Sequence, residues 1–175
     1  MESEKIAIIV LGRPNSGKSK TWYELFGRTI RTGFKRLQVG AQIVALFVKN
    51  GSFEEMGGDP EIEVFVRNAS FEEYGDEIED YFDEDNLPRI VFCSVQYAEK
   101  GLRTIQWFCD NGYQLHIQWL NPGYRHSTEY QDHLEFEKTF RQFGTFSVHS
   151  GKEVVNRTEE IRHRLTGWLA ERSSL

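Results

Sequence analysis

At 175 residues, with 39% hydrophobic, 27% charged and 14% aromatic residues, the chain has the composition of one globular domain with a packed core, which excludes a disordered or fibrous protein. Its net charge of −6 and pI near 5.4 oppose nucleic acid and anionic membrane surfaces, so any polyanion must meet a local patch. Cys93 and Cys109 stand in apolar runs as small buried hydrophobes, and neither a basic cleavable leader nor a bilayer-length apolar run occurs, which predicts a reduced, cytoplasmic protein.

The run Ile6 to Leu11, "IAIIVL", is continuous, apolar and rich in β-branched residues, the pattern of a strand buried on both faces of a parallel sheet. A glycine-bounded loop follows. Lys18 to Thr32 reads as a helix with Trp22, Leu25, Phe26 and Ile30 on its apolar face, closing near Gly33. "LQVGAQIVALFVKN" and "EIEVFVRN" read as two strands, a candidate hairpin, and the strict alternation of Ile62, Val64 and Val66 with Glu61, Glu63 and Arg67 predicts an edge strand with one wet face. Between Phe71 and Asp85 nine acids occur without one base, on a predicted short helix with a solvated surface.

The last third alternates regularly. "RIVFCSV" is a strand, Glu99 to Asp110 an amphipathic helix, and "YQLHIQWL" a strand running into the turn "NPGYR". Residues 127–143 read as helical and "GTFSVHS" as a short last strand. Glu153 to Glu171 reads as a helix whose stripe is Val154, Ile161, Leu165 and Trp168. Strands alternating with helices predict an α/β three-layer sandwich, helices covering both faces of a mostly parallel sheet, in a single domain over residues 1–175.

One segment carries chemistry. "GRPNSGKS", Gly12, Arg13, Pro14, Asn15, Ser16, Gly17, Lys18 and Ser19, matches G-x-x-x-x-G-K-[ST] at every fixed position, with a buried strand before it and a helix after it. Glycines at those positions let the loop turn its backbone N–H groups inward around phosphate oxygens. Lys18 adds a point charge toward the β- and γ-phosphates, Ser19 offers a hydroxyl to magnesium, and the helix that starts here, with Lys20 in its first turn, aims its positive end at the same anion. The segment from residue 6 to 32 resembles the P-loop NTPase superfamily, and that resemblance implies the P-loop NTPase fold and a bound nucleoside triphosphate.

A Ras-like GTPase also carries D-x-x-G and N-K-x-D, and neither tetrapeptide occurs in this chain. ATP with Mg2+ is therefore the expected ligand. No apolar strand ends in the acid that usually orients the magnesium: "RIVFCSVQY" ends in Ser94 and Gln96, "YQLHIQWLN" in Asn121, and "EIEVFVRN" in Asn68. Asp59, Glu61 and Glu99 are the carboxylates left to supply it, or a water held by Ser94 and Gln96.

The layout from Arg89 to Arg125 resembles the second half of small P-loop kinases. That resemblance implies phosphotransfer from ATP to a small acceptor, with Arg125, and then Arg141, as lid residues. Asp59 is the candidate to accept the acceptor's proton. The alternative is a nucleotide-dependent switch or accessory ATPase that works through a protein partner or a second copy of the chain. Arg28, Arg31, Lys35 and Arg36 form a basic patch, read as a solvated helix end. No histidine pair completes a zinc constellation at familiar spacing, and the four tryptophans read as core.

Overall fold

The structure, a computed structural model, describes residues 3–38 and 61–173. Most of the strand expected from Leu37 to Asn50, and the candidate Asp59, lie outside the described residues.

Strand β1 (Lys5–Gly12) is buried along nearly its whole length. Its pleat divides the core: Ile6, Ile8 and Val10 belong to one apolar cluster, and Ala7, Ile9 and Leu11 to the other. Helix α1 (Lys18–Phe26) adds Trp22 and Leu25 to the first cluster. The helix ends six residues before the expected Thr32, because Gly27 takes a left-handed φ of 71° and donates its N–H to the Tyr23 carbonyl.

β2 (Gly33–Gln38) and β3 (Glu61–Arg67) pair antiparallel. Next come β4 (Ile90–Gln96), α2 (Glu99–Asp110), β5 (Tyr113–Leu120), the short α3 (Phe136–Phe140), β6 (Gly144–His149) and α4 (Val154–Ser173). The six strands form one sheet in the order β2-β3-β4-β1-β5-β6, parallel except for β2. The α/β sandwich with a mostly parallel sheet is thus as the sequence predicts.

β3 is an inner strand, because β2 covers the side expected to be open. Ile62, Val64 and Val66 do share one buried face, but Phe65 packs into the opposite core and Arg67 is buried, so the second face is not simply wet. The basic patch correspondingly lies on the loop after α1 and on β2, not on a helix end.

The acidic stretch forms two 3₁₀ turns, Phe71–Tyr74 and Ile78–Asp80, in place of the expected helix. Several of its acids cross-link the chain. Asp76 accepts from Arg67 at 3.3 Å and from the Tyr81 hydroxyl at 2.6 Å, and Glu72 accepts from the Thr104 hydroxyl at 2.6 Å.

Residues 127–143 also depart from a single helix. The Asn121 side chain pairs with both backbone groups of Tyr130, at 2.7 Å each, and holds the chain in an irregular loop. Asp132 then accepts the N–H groups of Phe136 and Glu137, so α3 begins only there.

Candidate functional site

The loop Gly12–Ser19 opens where the connections of two adjacent parallel strands diverge. β1 feeds α1, which packs on one face through Trp22 and Leu25, whereas the adjacent β4 feeds α2, which packs on the other through Ile105 and Phe108. Divergent connections leave a crevice beyond the carboxyl ends of these strands, the usual place for a ligand in an open α/β sheet.

Gly12 ends β1. The loop then turns on two left-handed residues, Asn15 at φ 62° and Gly17 at φ 96°. Asparagine tolerates that conformation, and at Gly17 a side chain would be strained. Ser16 donates its N–H to the Arg13 carbonyl at 3.2 Å and is 1% exposed.

Lys18 is 7% exposed and curls over the loop, donating to the carbonyls of Gly12 at 3.0 Å and Arg13 at 2.9 Å. Ser19 lies exposed in the first turn of α1. A cavity of about 260 Å³ is lined by Asn15, Ser16, Gly17, Lys18, Ser19, Asn68 and Ala69. Two of the lining residues carry a buried side-chain oxygen with no protein partner, Ser16 Oγ and Asn68 Oδ1. The Asn68 side chain is fixed by its Nδ2, which donates to the Ile30 carbonyl at 3.0 Å.

Arg13, Pro14 and Lys20 are exposed around the loop. The Arg13 guanidinium lies 4.4 Å from the Tyr130 ring centre and the Lys20 ammonium 4.3 Å from that of Tyr124. Arg125 is exposed in the loop after β5, one residue from Tyr124, whose N–H donates to the Ser16 carbonyl at 2.8 Å. Arg141 stands elsewhere. It pairs with Glu137 just ahead of β6, and β6 enters the sheet beside Leu115, near the start of β5 and so at the end of the sheet away from the loop.

The strand-terminal acid is missing from the described residues as well. Ser94, expected to help hold a water, accepts from Trp22 Nε1 at 2.8 Å beneath α1. Glu61 opens β3, at the end of the sheet opposite the loop, and Glu99 is exposed at the start of α2. The acid that does reach the end of β4 is Glu72, which accepts from the Gln96 N–H at 3.3 Å. Among the described residues no three His, Cys, Asp or Glu side chains are grouped to hold a metal.

Sequence reading did not find the residues that brace the loop from behind. A Cβ on Gly123 would lie 2.8 Å from Ser16 Cα, and one on Gly151 would lie 2.3 Å from the Ser16 carbonyl oxygen. Arg157 of α4 donates to the Gly17 carbonyl at 2.9 Å. A signal for it existed: Arg157 stands four residues before Ile161 and eight before Leu165, on the apolar stripe of its helix.

No family model matches the sequence, and no curated protein matches it at a significant level. A solved structure does match: Methanosarcina barkeri Roco2 RocCORdC bound to GDP, at TM-score 0.50 and 12% identity, over 98% of this chain and 52% of that one. The fold is that of the P-loop NTPases. This chain spans about half the length of the solved structure, and at this identity the likeness is one of fold. Among the described residues no helix is long and apolar enough to cross a membrane.

Proposed function

We propose that this chain binds a nucleoside triphosphate through Gly12–Ser19, with ATP and magnesium as the ligand. The observation that carries the reading is the loop itself: left-handed Asn15 and Gly17, and Lys18 folded back onto the loop carbonyls beside a cavity that the loop lines. Its lysine rests on loop carbonyls, neutral acceptors that an incoming phosphate outcompetes by charge. Magnesium fits the donor set, because Ser19 and Asn68 both line that cavity and Asn68 Oδ1 has no protein partner. Ser19 would hold the ion and Asn68 a water on it, and the ion would supply charge neutralisation to the phosphates.

The chemistry we assign is transfer of the γ-phosphate to a small acceptor, achieved mainly by positioning and charge. Lys18 and the loop amides hold the phosphates, and Arg125 is the lid residue, since its loop is tied to Ser16 through Tyr124. Asp59 keeps its assignment as the group that takes the acceptor's proton. A second reading, a nucleotide-dependent switch acting on a protein partner, is favoured by the lack of a strand-terminal acid among the described residues and by the GDP in the matching structure.

Competition of ATP, GTP and GDP against a fluorescent triphosphate tests the ligand. With no N-K-x-D in the chain, the phosphates dominate recognition and ATP leads GTP by about tenfold to thirtyfold, roughly 1 to 2 kcal/mol. A GTP preference beyond a hundredfold overturns the assignment of ATP. Labelled γ-phosphate offered with nucleosides, sugars and polynucleotide ends then separates the two outputs: acceptor-dependent transfer supports the kinase, and nucleotide-dependent binding without transfer supports the switch.

A further inference from the structure

Arg157 lies in the first turn of α4 and has no exposed surface. All three guanidinium nitrogens are engaged, and every partner is neutral. Nε donates to Thr21 Oγ1 at 3.0 Å, Nη1 to the carbonyls of Gly151 at 2.9 Å and Ser150 at 3.4 Å, and Nη2 to the carbonyl of Gly17 at 2.9 Å. No carboxylate pairs with it among the described residues. Burial lowers its pKa to about 10, which leaves the group charged at neutral pH.

A charge in this position is costly in two ways. Removing a guanidinium from water is repaid poorly by neutral acceptors, and the first turn of a helix carries the positive end of its dipole. The same region already holds Lys18 and the positive end of α1. Among the described residues no carboxylate balances the Arg157 guanidinium, and a bound anion would.

The geometry points to Arg157 as a positioning residue of the phosphate site, fixing the loop and supplying a buried positive charge whose counter-ion is the bound polyphosphate. This rests on the nucleotide-binding reading above. The Gly17 carbonyl and the Lys18 N–H belong to one peptide, so the group that anchors the carbonyl from behind aims the N–H at the front of the loop and polarises it. Through Thr21, Ser150 and Gly151 the same guanidinium joins α1 and the loop after β6 to that peptide. Gln118 secures its helical turn in turn, donating from Nε2 to the Arg157 carbonyl at 2.8 Å.

The test is calorimetric titration of the full chain with inorganic tripolyphosphate and pyrophosphate, comparing the parent with Arg157→Gln and Arg157→Lys. The expected result is at least a thirtyfold loss for tripolyphosphate in the glutamine variant, a smaller loss for pyrophosphate, and affinity within fivefold of the parent for the lysine variant near pH 6.5. A buried amine loses its proton at lower pH than the guanidinium, so the affinity of the lysine variant relative to the parent should fall as pH rises from 6.5 to 9. This last profile keeps the proposal testable if the glutamine variant does not fold. A loss equal for both ligands, no loss, or a lysine variant whose profile runs parallel to the parent would overturn the role of Arg157 alone. Failure of the parent to bind either polyphosphate would overturn the phosphate site with it.

Discussion

The backbone N–H of Tyr124 donates to the carbonyl of Ser16 at 2.8 Å, so the loop after β5 lies directly against the loop Gly12–Ser19. Gly123 and Gly151 make that approach possible, the latter donating to the Pro122 carbonyl at 2.8 Å. A methyl group at position 123 would meet His126 Nδ1 at 2.5 Å and Ser16 Cα at 2.8 Å. Gly123→Ala is therefore expected to displace the phosphate loop and weaken nucleotide binding tenfold or more, about 1.4 kcal/mol, with the fold retained by circular dichroism. The control is Gly167→Ala in α4, where nothing lies within 4 Å of the new methyl. It should raise stability by about 0.5 to 1 kcal/mol and leave binding unchanged. Equal affinities for the parent and Gly123→Ala would mean the two loops are not mechanically joined.

A second prediction concerns acid. His116 is 1% exposed, with Nδ1 at 2.5 Å from Thr145 Oγ1 and no partner for Nε2. Burial pushes its pKa down to about 4 from 6.5, although nearby Glu160 works the other way. The unfolded chain takes up this proton first, so stability present above pH 6.5 is lost as pH falls toward 4, by about 3 kcal/mol. Burial also opposes the charge on Glu160, but a hydrogen bond with His149, the neighbouring histidine charges and the Gln118 amide hold its pKa near 2, so its contribution is lost only below pH 4.5. Urea unfolding between pH 7 and 4 should show a steep decline in the parent and a flatter one in His116→Gln. Parallel declines would place the proton uptake at another group.

Magnesium supplies a third. Ser19→Ala removes a candidate metal ligand at the exposed start of α1 and disturbs no described hydrogen bond within the loop. Metal-free nucleotide binding should be nearly unchanged, while most of the affinity gained on adding magnesium should disappear. Identical magnesium titrations for parent and variant would locate the ion elsewhere.

The parts of this site written in adjacent residues were legible from the sequence. A strand buried on both faces has to be a continuous apolar run, and a glycine-bounded stretch breaks that run before the helix, so β1, the place of the loop and the start of α1 could be read directly. Boundaries set by one residue's conformation were harder. The apolar periodicity continues past Gly27 to Ile30, yet the left-handed turn at Gly27 ends the helix, and Ile30 reaches the core from a loop. Alternation along β3 described its side chains without revealing that β2 occupies its open side. Arg157 stands on the apolar stripe of its helix, but its partners Gly17 and Thr21 are 140 and 136 residues away. No local pattern specifies such a contact.

The central claim, that Gly12–Ser19 is a phosphate-binding loop, is tested most directly by titrating the parent chain and Lys18→Ala with ATP in the calorimeter, both shown folded by circular dichroism. Lys18 contributes charge to a loop whose shape depends on its backbone. The account predicts measurable binding by the parent and none by the variant. Equal ATP affinity in two folded proteins would contradict it.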